Sequence, residues 1–543
     1  MRAPPGISAA DFGQALQQFE RVVGRDWVFT SDEDVALYRD AYSPLWGEAE
    51  ERWASAAVAP DTVEQVQEIV RIANRFKVPL YPISTGRDLG YGGSAPTYSG
   101  SVVLDLKRMN RILEVNERNA SALVEPGVSY FDLYNHIQQR GLKLWLDVPD
   151  PGWGSPIGNS LDRGGGYTMP QYRFHFEAHC GMEVVLPSGE LMRTGQGAMP
   201  GSRSWQEFKN AVGPSVDGLF SQANFGVITK MGFWLMPEPE AYLAATVFVP
   251  RYHDLVPLVD AVNYLENSCI TNGIPELYSP VMKMAAAGGE TPSPQLKALI
   301  DQAVDGDASG LDAFAQSKAL AAWSCKLKFY GPPAVILEQW KACKARLSSI
   351  PGVSFDDGKL IRVPLTPEQK EQVPKAEFGI PALSIWGMVS RTAADRGPHY
   401  GHQGFSPIIP RSGEAVFEAN RIFARAAREF GVPVPAYSVP HCYWQRAFIF
   451  IFLLPVSKDP AANAKARQGI QQLVKLAAEA GFGEYRCAPA YQDLIAHTYS
   501  FNNNALLRFQ ETLKDAIDPN GILSPGRYGI WPRHLRKSAA GGA

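Results

Sequence analysis

Ser84-Thr85-Gly86-Arg87-Asp88-Leu89-Gly90-Tyr91-Gly92-Gly93 contains four glycines in ten residues and follows Val78-Pro79-Leu80-Tyr81-Pro82-Ile83, a short segment with the character of a strand. Glycines let the backbone approach a phosphate closely and aim several N–H groups at it. The stretch lacks the Gly-Lys-Ser/Thr sequence of a P-loop, which argues against ATP chemistry. We therefore predict that this glycine loop, residues 84–93, binds a pyrophosphate.

A second glycine-rich stretch, Gly154-Ser155-Pro156-Ile157-Gly158-Asn159-Ser160-Leu161-Asp162-Arg163-Gly164-Gly165-Gly166-Tyr167, repeats this composition further along the chain. Between and around the two stretches, short apolar strands alternate with turns. A helix is predicted after Thr62, because Thr62 and Gln65 have capping-box spacing and an apolar face follows them. No Gly-x-Gly-x-x-Gly sequence joins a strand to a helix. The pattern is typical of an α+β fold that is not a Rossmann fold.

The length of 543 residues is too great for one hydrophobic core, so two or more domains are expected. The character of the sequence changes around Met236-Pro237-Glu238-Pro239-Glu240, where strands begin to alternate with longer helices. We predict a first domain at residues 1–238 and a second α+β domain at 239–488. Residues 489–543 are predicted to return to the first domain.

The composition of the chain indicates which partners, location and metal content to expect. Lys and Arg number 52 and Asp and Glu 55, for a net charge of −3, which gives no reason to expect nucleic acid or an acidic membrane as partner. The N-terminus lacks a secretory signal, and the longest apolar run, residues 447–455, is too short for a bilayer and reads as one buried strand. Six scattered cysteines and nine histidines show neither a disulfide framework nor a metal-binding spacing. A cytoplasmic protein without a metal is expected.

Gly401-His402-Gln403-Gly404-Phe405-Ser406-Pro407 places an imidazole in a glycine-rich turn. Together with the two glycine-rich stretches, it resembles the flavoprotein family of vanillyl-alcohol oxidase, eugenol oxidase and p-cresol methylhydroxylase, from about Asp61 to Trp531. The resemblance implies a two-domain fold with an FAD-binding domain and an α+β cap domain that holds the substrate. It also implies that His402 carries FAD covalently. His399 is the alternative position for this bond.

The tyrosine that links FAD in other family members falls on Val389, so the chain is closest to the histidine-linked oxidases. A covalent bond to the flavin raises its potential as a hydride acceptor. The resemblance carries the FAD contacts onto residues of the glycine loop, the second glycine-rich stretch, a later strand and the C-terminal segment: Ser84, Thr85, Gly86, Arg87, Asp88, Leu89, Gly90, Gly154, Ser155, Gly158, Asn159, Asp162, Gly226, Ile228, His402 and Arg527.

The resemblance further implies that Tyr91, Tyr485 and Arg486 hold the oxygen of a para-substituted phenol as phenolate. A free phenol has a pKa near ~10, so ionising it at neutral pH requires about 4 kcal/mol. One arginine and two hydroxyl donors in a dry site supply an interaction of that size. Asp150 matches the acidic residue beside flavin N5, with Asp147 as the alternative, and can activate water or accept a proton. Arg527 matches the cation near flavin N1 and O2.

Two segments depart from the family where the substrate wall is expected. The relatives carry a His-His pair where this chain has Trp444-Gln445-Arg446-Ala447, and a Pro-Tyr-Gly segment where it has Met169-Pro170-Gln171-Tyr172-Arg173-Phe174-His175-Phe176. We expect an FAD-dependent oxidase of para-substituted phenols that uses O2 and forms a homodimer or a higher homo-oligomer. The alternatives are the flavoprotein subunit of a dehydrogenase that passes electrons to a cytochrome c, and a flavin-binding protein without turnover.

Overall fold

The computed structural model describes residues 2–281, 293–384, 401–432, 442–444 and 446–536. The first region holds two main sheets and a short two-stranded one. Its strands are β1 (Val28–Phe29), β2 (Ala56–Val58), β3 (Leu80–Ile83), β4 (Val102–Asp105), β5 (Ile112–Asn116), β6 (Ser121–Val124), β7 (Leu144–Trp145), β8 (His179–Val185), β9 (Leu191–Arg193), β10 (Val227–Trp234) and β11 (Met236–Pro237). Its helices are α1 (Ala9–Val23), α2 (Asp32–Ala36), α3 (Val63–Phe76), α4 (Tyr130–Gln139), α5 (Pro156–Leu161) and α6 (Pro170–Arg173).

The two main sheets differ in strand direction. The first has the order β1-β2-β4-β3, with β2, β4 and β3 parallel, and the second has the antiparallel order β5-β6-β10-β8-β9. Parallel pairing needs a crossover, and α3 provides it between β2 and β3. The glycine loop leaves the carboxyl end of β3, so the sheet fixes its starting point.

Helix α3 shows how the local sequence determines the structure. The Thr62 side chain accepts a hydrogen bond from the Gln65 N–H at 3.3 Å, as the capping spacing predicts. The Gln65 side chain accepts from the Asp61 N–H at 2.7 Å, one residue earlier than a standard capping box would require. The predicted apolar face is buried against α1 and the parallel sheet, and comprises Val63, Val66, Ile69, Val70 and Ala73.

The second region begins with β12 (Ala241–Val249), which pairs with β14 (Trp323–Gly331) over nine residues. Its other strands are β13 (Glu276–Tyr278), β15 (Ser354–Asp356), β16 (Ile361–Arg362), β17 (Gly401–Phe405), β18 (Ile408–Pro410), β19 (Cys442–Trp444), β20 (Ala447–Ile449) and β21 (Phe452–Val456). Its helices are α7 (Leu255–Asn267), α8 (Pro294–Asp305), α9 (Ser309–Ser317), α10 (Pro333–Leu347), α11 (Pro367–Gln372), α12 (Gly413–Phe430) and α13 (Pro460–Glu479).

Alternate residues of β12 define the two faces of its sheet. Ala241, Leu243, Ala245, Val247 and Val249 all belong to the largest hydrophobic core, which the helices of this region cover. Side chains of successive strand residues point to opposite faces, so a period of two is the signature of a sheet with one helix-covered face. This arrangement is the one that the alternation of strands and helices in the sequence predicts.

The apolar run at 447–455 is not one strand, contrary to the prediction. It forms β20, which pairs with β18, and β21, which pairs with β17, in two different sheets. Phe450 and Ile451 lie between them, and Phe450 is buried in the core. Because the run is apolar from end to end, through both strands and the connection, its composition does not reveal the break.

The C-terminal segment adds α14 (Gln492–Thr498) and α15 (Phe501–Ile517) and then contacts the first region. Leu523 forms a parallel bridge with Leu80 of β3, and the Asn224 side chain donates to the carbonyls of Ser524 and Ile530. In the described ranges, no helix combines the length and apolar content that crossing a bilayer requires.

A buried ion pair anchors this segment. Lys514 Nζ lies 2.7 Å from Asp518 Oδ2, and both side chains are fully buried. The same ammonium donates to the carbonyls of Asn224 and Leu523, at 2.7 and 2.6 Å. Asp518 in turn accepts from two backbone N–H groups. One cation therefore satisfies acceptors from both the C-terminal segment and the loop before β10.

Replacing Lys514 by methionine should lower the free energy of unfolding by about 3–5 kcal/mol, because it leaves a buried carboxylate without its cation. The matched control is Lys297→Met, since Lys297 pairs with Asp301 at the same i,i+4 spacing and at 2.9 Å on an exposed surface. The control should change stability by less than about 1 kcal/mol. Denaturant titration of both variants checks this, and equal losses would show that burial of the Lys514 pair has no effect.

Candidate flavin and substrate site

One cavity of about 470 Å³ collects residues from all three parts of the chain. The first region contributes the glycine loop, the second glycine-rich stretch and the start of β10. The second region contributes His402 of β17 and residues around β21, and the C-terminal segment contributes Arg527. A volume of this size is typical of a site for a cofactor or a small ligand.

Two glycines are required by the shape of this cavity. Gly158 lies so close to the glycine loop that a Cβ atom there would collide with Ser84 Oγ. Gly90 has φ +81°, and a Cβ there would lie 3.0 Å from both Nε2 and Cδ2 of His402. Gly86 of the glycine loop and Gly154 and Gly158 of the second stretch line the cavity, so both stretches present glycine backbone to it, as a pyrophosphate site would need.

His402 lies in the wall of the cavity, between Gly90 and the ring of Tyr42, whose centroid is 5.0 Å away. Its Nδ1 is buried and has no hydrogen-bond partner among the residues that the structure describes. Burial lowers the pKa of the imidazole to about 4, so the ring is neutral at physiological pH. A neutral imidazole with an open ring nitrogen is a nucleophile, and this orphaned buried atom fits a bond to a ligand in the cavity.

Arg486 is held by two carboxylates rather than standing alone. Its Nε donates to Asp162 Oδ2 and its Nη2 to Asp88 Oδ1, each at 2.6 Å. The guanidinium also lies 4.1 Å from the centroid of the Tyr91 ring. The two carboxylates raise the pKa of Arg486 further although burial opposes this, so the group is always charged.

Arg527 belongs to the same cluster. Its Nη2 lies 3.3 Å from Asp162 Oδ1, and its Nη1 donates to the hydroxyl of Tyr81 at 3.2 Å. The hydroxyl of Tyr528 donates to the same Asp162 oxygen. The sequence assigned Asp88 and Asp162 only to FAD contacts, and no local signal showed that they bind arginines more than 300 residues away.

Tyr91 is buried and lies near a second polar group. Its hydroxyl is 3.4 Å from Ser406 Oγ, and a Cβ at Gly404 would lie 2.5 Å from that hydroxyl. The Ser406 N–H donates to Glu484 Oε1 at 2.7 Å. Burial raises the pKa of both the Glu484 carboxyl and the Tyr91 phenol. Neither Ser406 nor Glu484 was predicted as a site residue, although Ser406 stands in the quoted motif at 401–407 and Glu484 directly precedes Tyr485.

Asp150 lines the cavity, whereas Asp147 does not. Asp147 binds His175 Nε2 at 2.7 Å and the backbone N–H of Thr168 at 2.8 Å, so it has a structural role away from the cavity. Tyr485 also lines the cavity, and its carbonyl accepts from the Gln222 side chain at 2.9 Å. Tyr485 packs in one hydrophobic cluster with Tyr167, Ile274 and Ile451, which line the cavity as Leu453 does and give it an apolar wall.

The structure brings together nearly all of the predicted site residues. Every one of them lines the cavity except Gly90, which packs against His402 behind it. Val389 and His399 lie outside the described residues, as does Gln445 of the segment that replaces the His-His pair. In the ranges that the structure describes, no group of three or more His, Cys, Asp or Glu side chains is arranged to hold a metal ion.

Comparisons with known proteins agree with this arrangement. The family model described as FAD binding domain matches residues 54–195. The flavoprotein subunit of 4-cresol dehydrogenase (hydroxylating) from Pseudomonas putida is 32% identical, over 97% of this chain and 97% of its own length. A 4-ethylphenol oxidase from Gulosibacter chungangensis, solved with isoeugenol, has a TM-score of 0.81 at 32% identity and covers 98% of this chain and 100% of its own.

The solved structure of p-cresol methylhydroxylase with substrate bound has a TM-score of 0.80 at 30% identity, over 97% of this chain and 99% of that one. The fold and the site thus define a flavin-dependent oxidoreductase with an FAD-binding domain, and the predicted α+β fold is confirmed. The chain belongs to the family of flavoproteins that includes vanillyl-alcohol oxidase and p-cresol methylhydroxylase.

Proposed function

We propose that this protein oxidises para-substituted phenols, namely 4-hydroxybenzylic alcohols and 4-alkyl- or 4-allylphenols, and releases hydride from the benzylic carbon to form a quinone methide. FAD, when bound, accepts the hydride at N5. The observation that carries the proposal is one cavity that combines the permanently charged Arg486, the hydroxyl of Tyr91 and an apolar wall. A phenol with an alkyl substituent has the matching polarity at its two ends.

Arg486, Tyr91 and Tyr485 are proposed to bind the phenol oxygen as phenolate. The oxygen charge is delocalised to the para carbon, which assists departure of hydride from the benzylic position. The cation that stabilises this charge is itself fixed by Asp88 and Asp162, so it needs no reorganisation when the substrate ionises. The apolar residues Ile274, Ile451 and Leu453 would then contact the para substituent.

Asp150 is proposed to act at the benzylic carbon. It lines the cavity together with the apolar wall, and an aspartate in that position can remove a proton from water that attacks the quinone methide. For an alcohol substrate, the same carboxylate accepts the hydroxyl proton. With an alkylphenol, the oxygen of the attacking water enters the product. With an alcohol, the substrate's own hydroxyl oxygen becomes the carbonyl oxygen of the product.

His402 is proposed to hold FAD covalently, since the imidazole is neutral and its buried Nδ1 has no partner in the described part of the chain. Arg527 is proposed to face N1 and O2 of the isoalloxazine, where its fixed positive charge would stabilise the negative charge that reduction creates. The glycine loop and the second glycine-rich stretch would receive the pyrophosphate, because both expose backbone to the cavity.

We propose O2 as electron acceptor, with release of H2O2, and a homodimer or higher homo-oligomer as the assembly. The second candidate acceptor is a cytochrome c. It is favoured by the 32% identity to a flavoprotein subunit of 4-cresol dehydrogenase over nearly the whole chain. Both candidates share the same reductive half-reaction, so the cavity residues have the same roles in each.

The acceptor is tested by parallel assays of the purified holoenzyme with 4-ethylphenol. One assay measures peroxide released in air, and the other measures reduction of added cytochrome c without oxygen. Peroxide equal in amount to the phenol consumed supports the oxidase. Slow peroxide release with fast cytochrome reduction favours the second candidate, and no product in either assay would contradict phenol oxidation altogether.

A further inference from the structure

Asp88 and Asp162 are the two carboxyl groups that hold Arg486, and the phenol reaction as described above assigns no role to their own protonation. One guanidinium bridges the two side chains through Nε and Nη2, each 2.6 Å from a carboxylate oxygen. Arg527 lies 3.3 Å from an oxygen of Asp162 and 3.9 Å from an oxygen of Asp88. Two buried carboxylates bound to the same guanidinium repel each other and favour the state in which the pair carries one proton.

We propose that Asp88 is a positioning residue for the phenol: with Asp162 it fixes Arg486 in the cavity, and a proton shared by the two carboxyls sets the net charge that the cavity presents to a phenolate. This inference rests on the proposed function. With both carboxyls ionised, the net charge of the cluster of Arg486, Arg527, Asp88 and Asp162 is zero. With one proton on the pair, the sum is +1, and an anion is bound more tightly.

The location of the proton follows from the surroundings of each carboxyl. Burial raises the pKa of Asp162, but its contacts with Arg486, Arg527 and the Tyr528 hydroxyl outweigh burial and lower the pKa. Asp88 has fewer such partners, so burial and the neighbouring Asp162 charge raise its pKa to about 7. Asp88 is therefore the carboxyl of the pair that holds the proton. It is the group of the pair that changes charge near neutral pH.

Other titratable or charged groups face this cluster from the neighbouring elements. They are Tyr81 from β3, Arg87 and Tyr91 from the glycine loop, Glu484, Tyr485, Cys487 and Tyr528 near the two arginines, and Asp150 and His402 across the cavity. Burial raises the pKa of the phenols of Tyr81, Tyr91 and Tyr528, which are neutral at pH 7. The carboxyl groups of Glu484 and Asp150 could also change charge with pH. The test must therefore separate the effect of Asp88 from theirs.

The sign of the effect follows from the raised pKa of Asp88. Below about pH 7 the pair carries one proton and the cluster has a charge of +1, so a phenolate binds tightly. As pH rises through about 7, the proton leaves Asp88 and the affinity of the cavity for the anion falls. Loss of one unit of positive charge near the bound anion should lower the affinity by about tenfold. Conversely, binding of an anion above pH 7 should draw a proton onto the pair.

The probe is pentafluorophenol, an acidic phenol that stays ionised between about pH 6.5 and pH 9 and has no benzylic carbon to oxidise. Its dissociation constant for the wild-type holoenzyme should rise about tenfold across this range. In Asp88→Asn, a neutral side chain of the same shape keeps the cluster at +1, so the dissociation constant should stay low at every pH. The control Asp40→Asn removes a buried carboxyl with a raised pKa of about 6 outside the flavin cavity, and it should keep the wild-type pH dependence.

Calorimetry of the wild type in buffers of different ionisation enthalpy supplies a measurement that needs no variant. Binding at about pH 8 should take up a substantial fraction of one proton, and Asp88→Asn should take up none. A wild type that binds the probe without pH dependence or proton uptake would overturn the role of Asp88, as would an Asp88→Asn protein with wild-type pH dependence. A wild type that does not bind the probe at any pH would overturn the proposed phenolate site itself, and this inference with it.

Discussion

Replacing Arg486 by alanine should lower kcat/KM for a 4-alkylphenol by about 30- to 1000-fold. The variant loses a charge-assisted hydrogen bond to a buried anion, which is worth roughly 2–4 kcal/mol. KM should rise together with the fall in kcat, since the bond to the phenolate already exists in the bound ground state. Steady-state kinetics on the purified, flavin-loaded variant measures both constants.

Arg486→Lys is the matched control for this substitution. Lysine keeps the positive charge but cannot bridge Asp88 and Asp162 as the guanidinium does through Nε and Nη2. Its kcat/KM should therefore lie between those of the wild type and Arg486→Ala. A loss below tenfold in the alanine variant, with unchanged flavin content, would mean that Arg486 does not bind the phenol oxygen.

Replacing His402 by alanine should abolish covalent attachment of FAD. After acid precipitation, the wild-type pellet should keep its flavin, whereas the flavin of the variant should remain in the supernatant. Reduction by substrate should also be slower in the variant, because the tether raises the flavin potential. Acid-stable flavin that persists in His402→Ala would place the bond on another residue, with His399 as the first candidate.

Gly90→Ala tests the position of the imidazole while keeping the histidine. Its Cβ would lie 3.0 Å from the His402 ring, and the ring must shift to accommodate it. The matched control is Gly481→Ala, because Gly481 has φ +78°, close to the +81° of Gly90, and no atom lies within 4 Å of the added Cβ. Both variants carry similar backbone strain, and only Gly90→Ala should reduce the fraction of covalent flavin. Equal fractions in the two variants would contradict the orientation of His402 in the cavity.

The parts of the fold with a local signal were predicted from the sequence. The apolar face of α3 follows from its 3.6-residue period, and the two glycine-rich stretches, which their composition marks as candidate binding segments, line the same cavity. Periodicity does not report where a continuously apolar run changes sheets. The connection at Phe450 and Ile451 therefore escaped prediction, since β20 and β21 are apolar on both sides of it.

The candidate site was predicted as a set of residues and not as a network. A family motif assigns Arg486 and Asp88 one position at a time, and nothing in the motif joins residues that stand 398 positions apart. That contact depends on how the second region and the C-terminal segment close over the glycine loop. The charge balance of the cavity, and hence the role proposed for Asp88, emerges only from the three-dimensional structure.

We expect the phenol to be oxidised as its phenolate. Anaerobic reduction of the wild-type flavin measures this step without the electron acceptor. The holoenzyme is mixed without oxygen with 4-ethylphenol or with its methyl ether, which cannot ionise, and loss of the oxidised flavin absorbance is followed over time. We expect fast bleaching by 4-ethylphenol and a rate at least about 30-fold lower with the ether, given roughly 2–4 kcal/mol of phenolate stabilisation. Equal rates with the two compounds would contradict it.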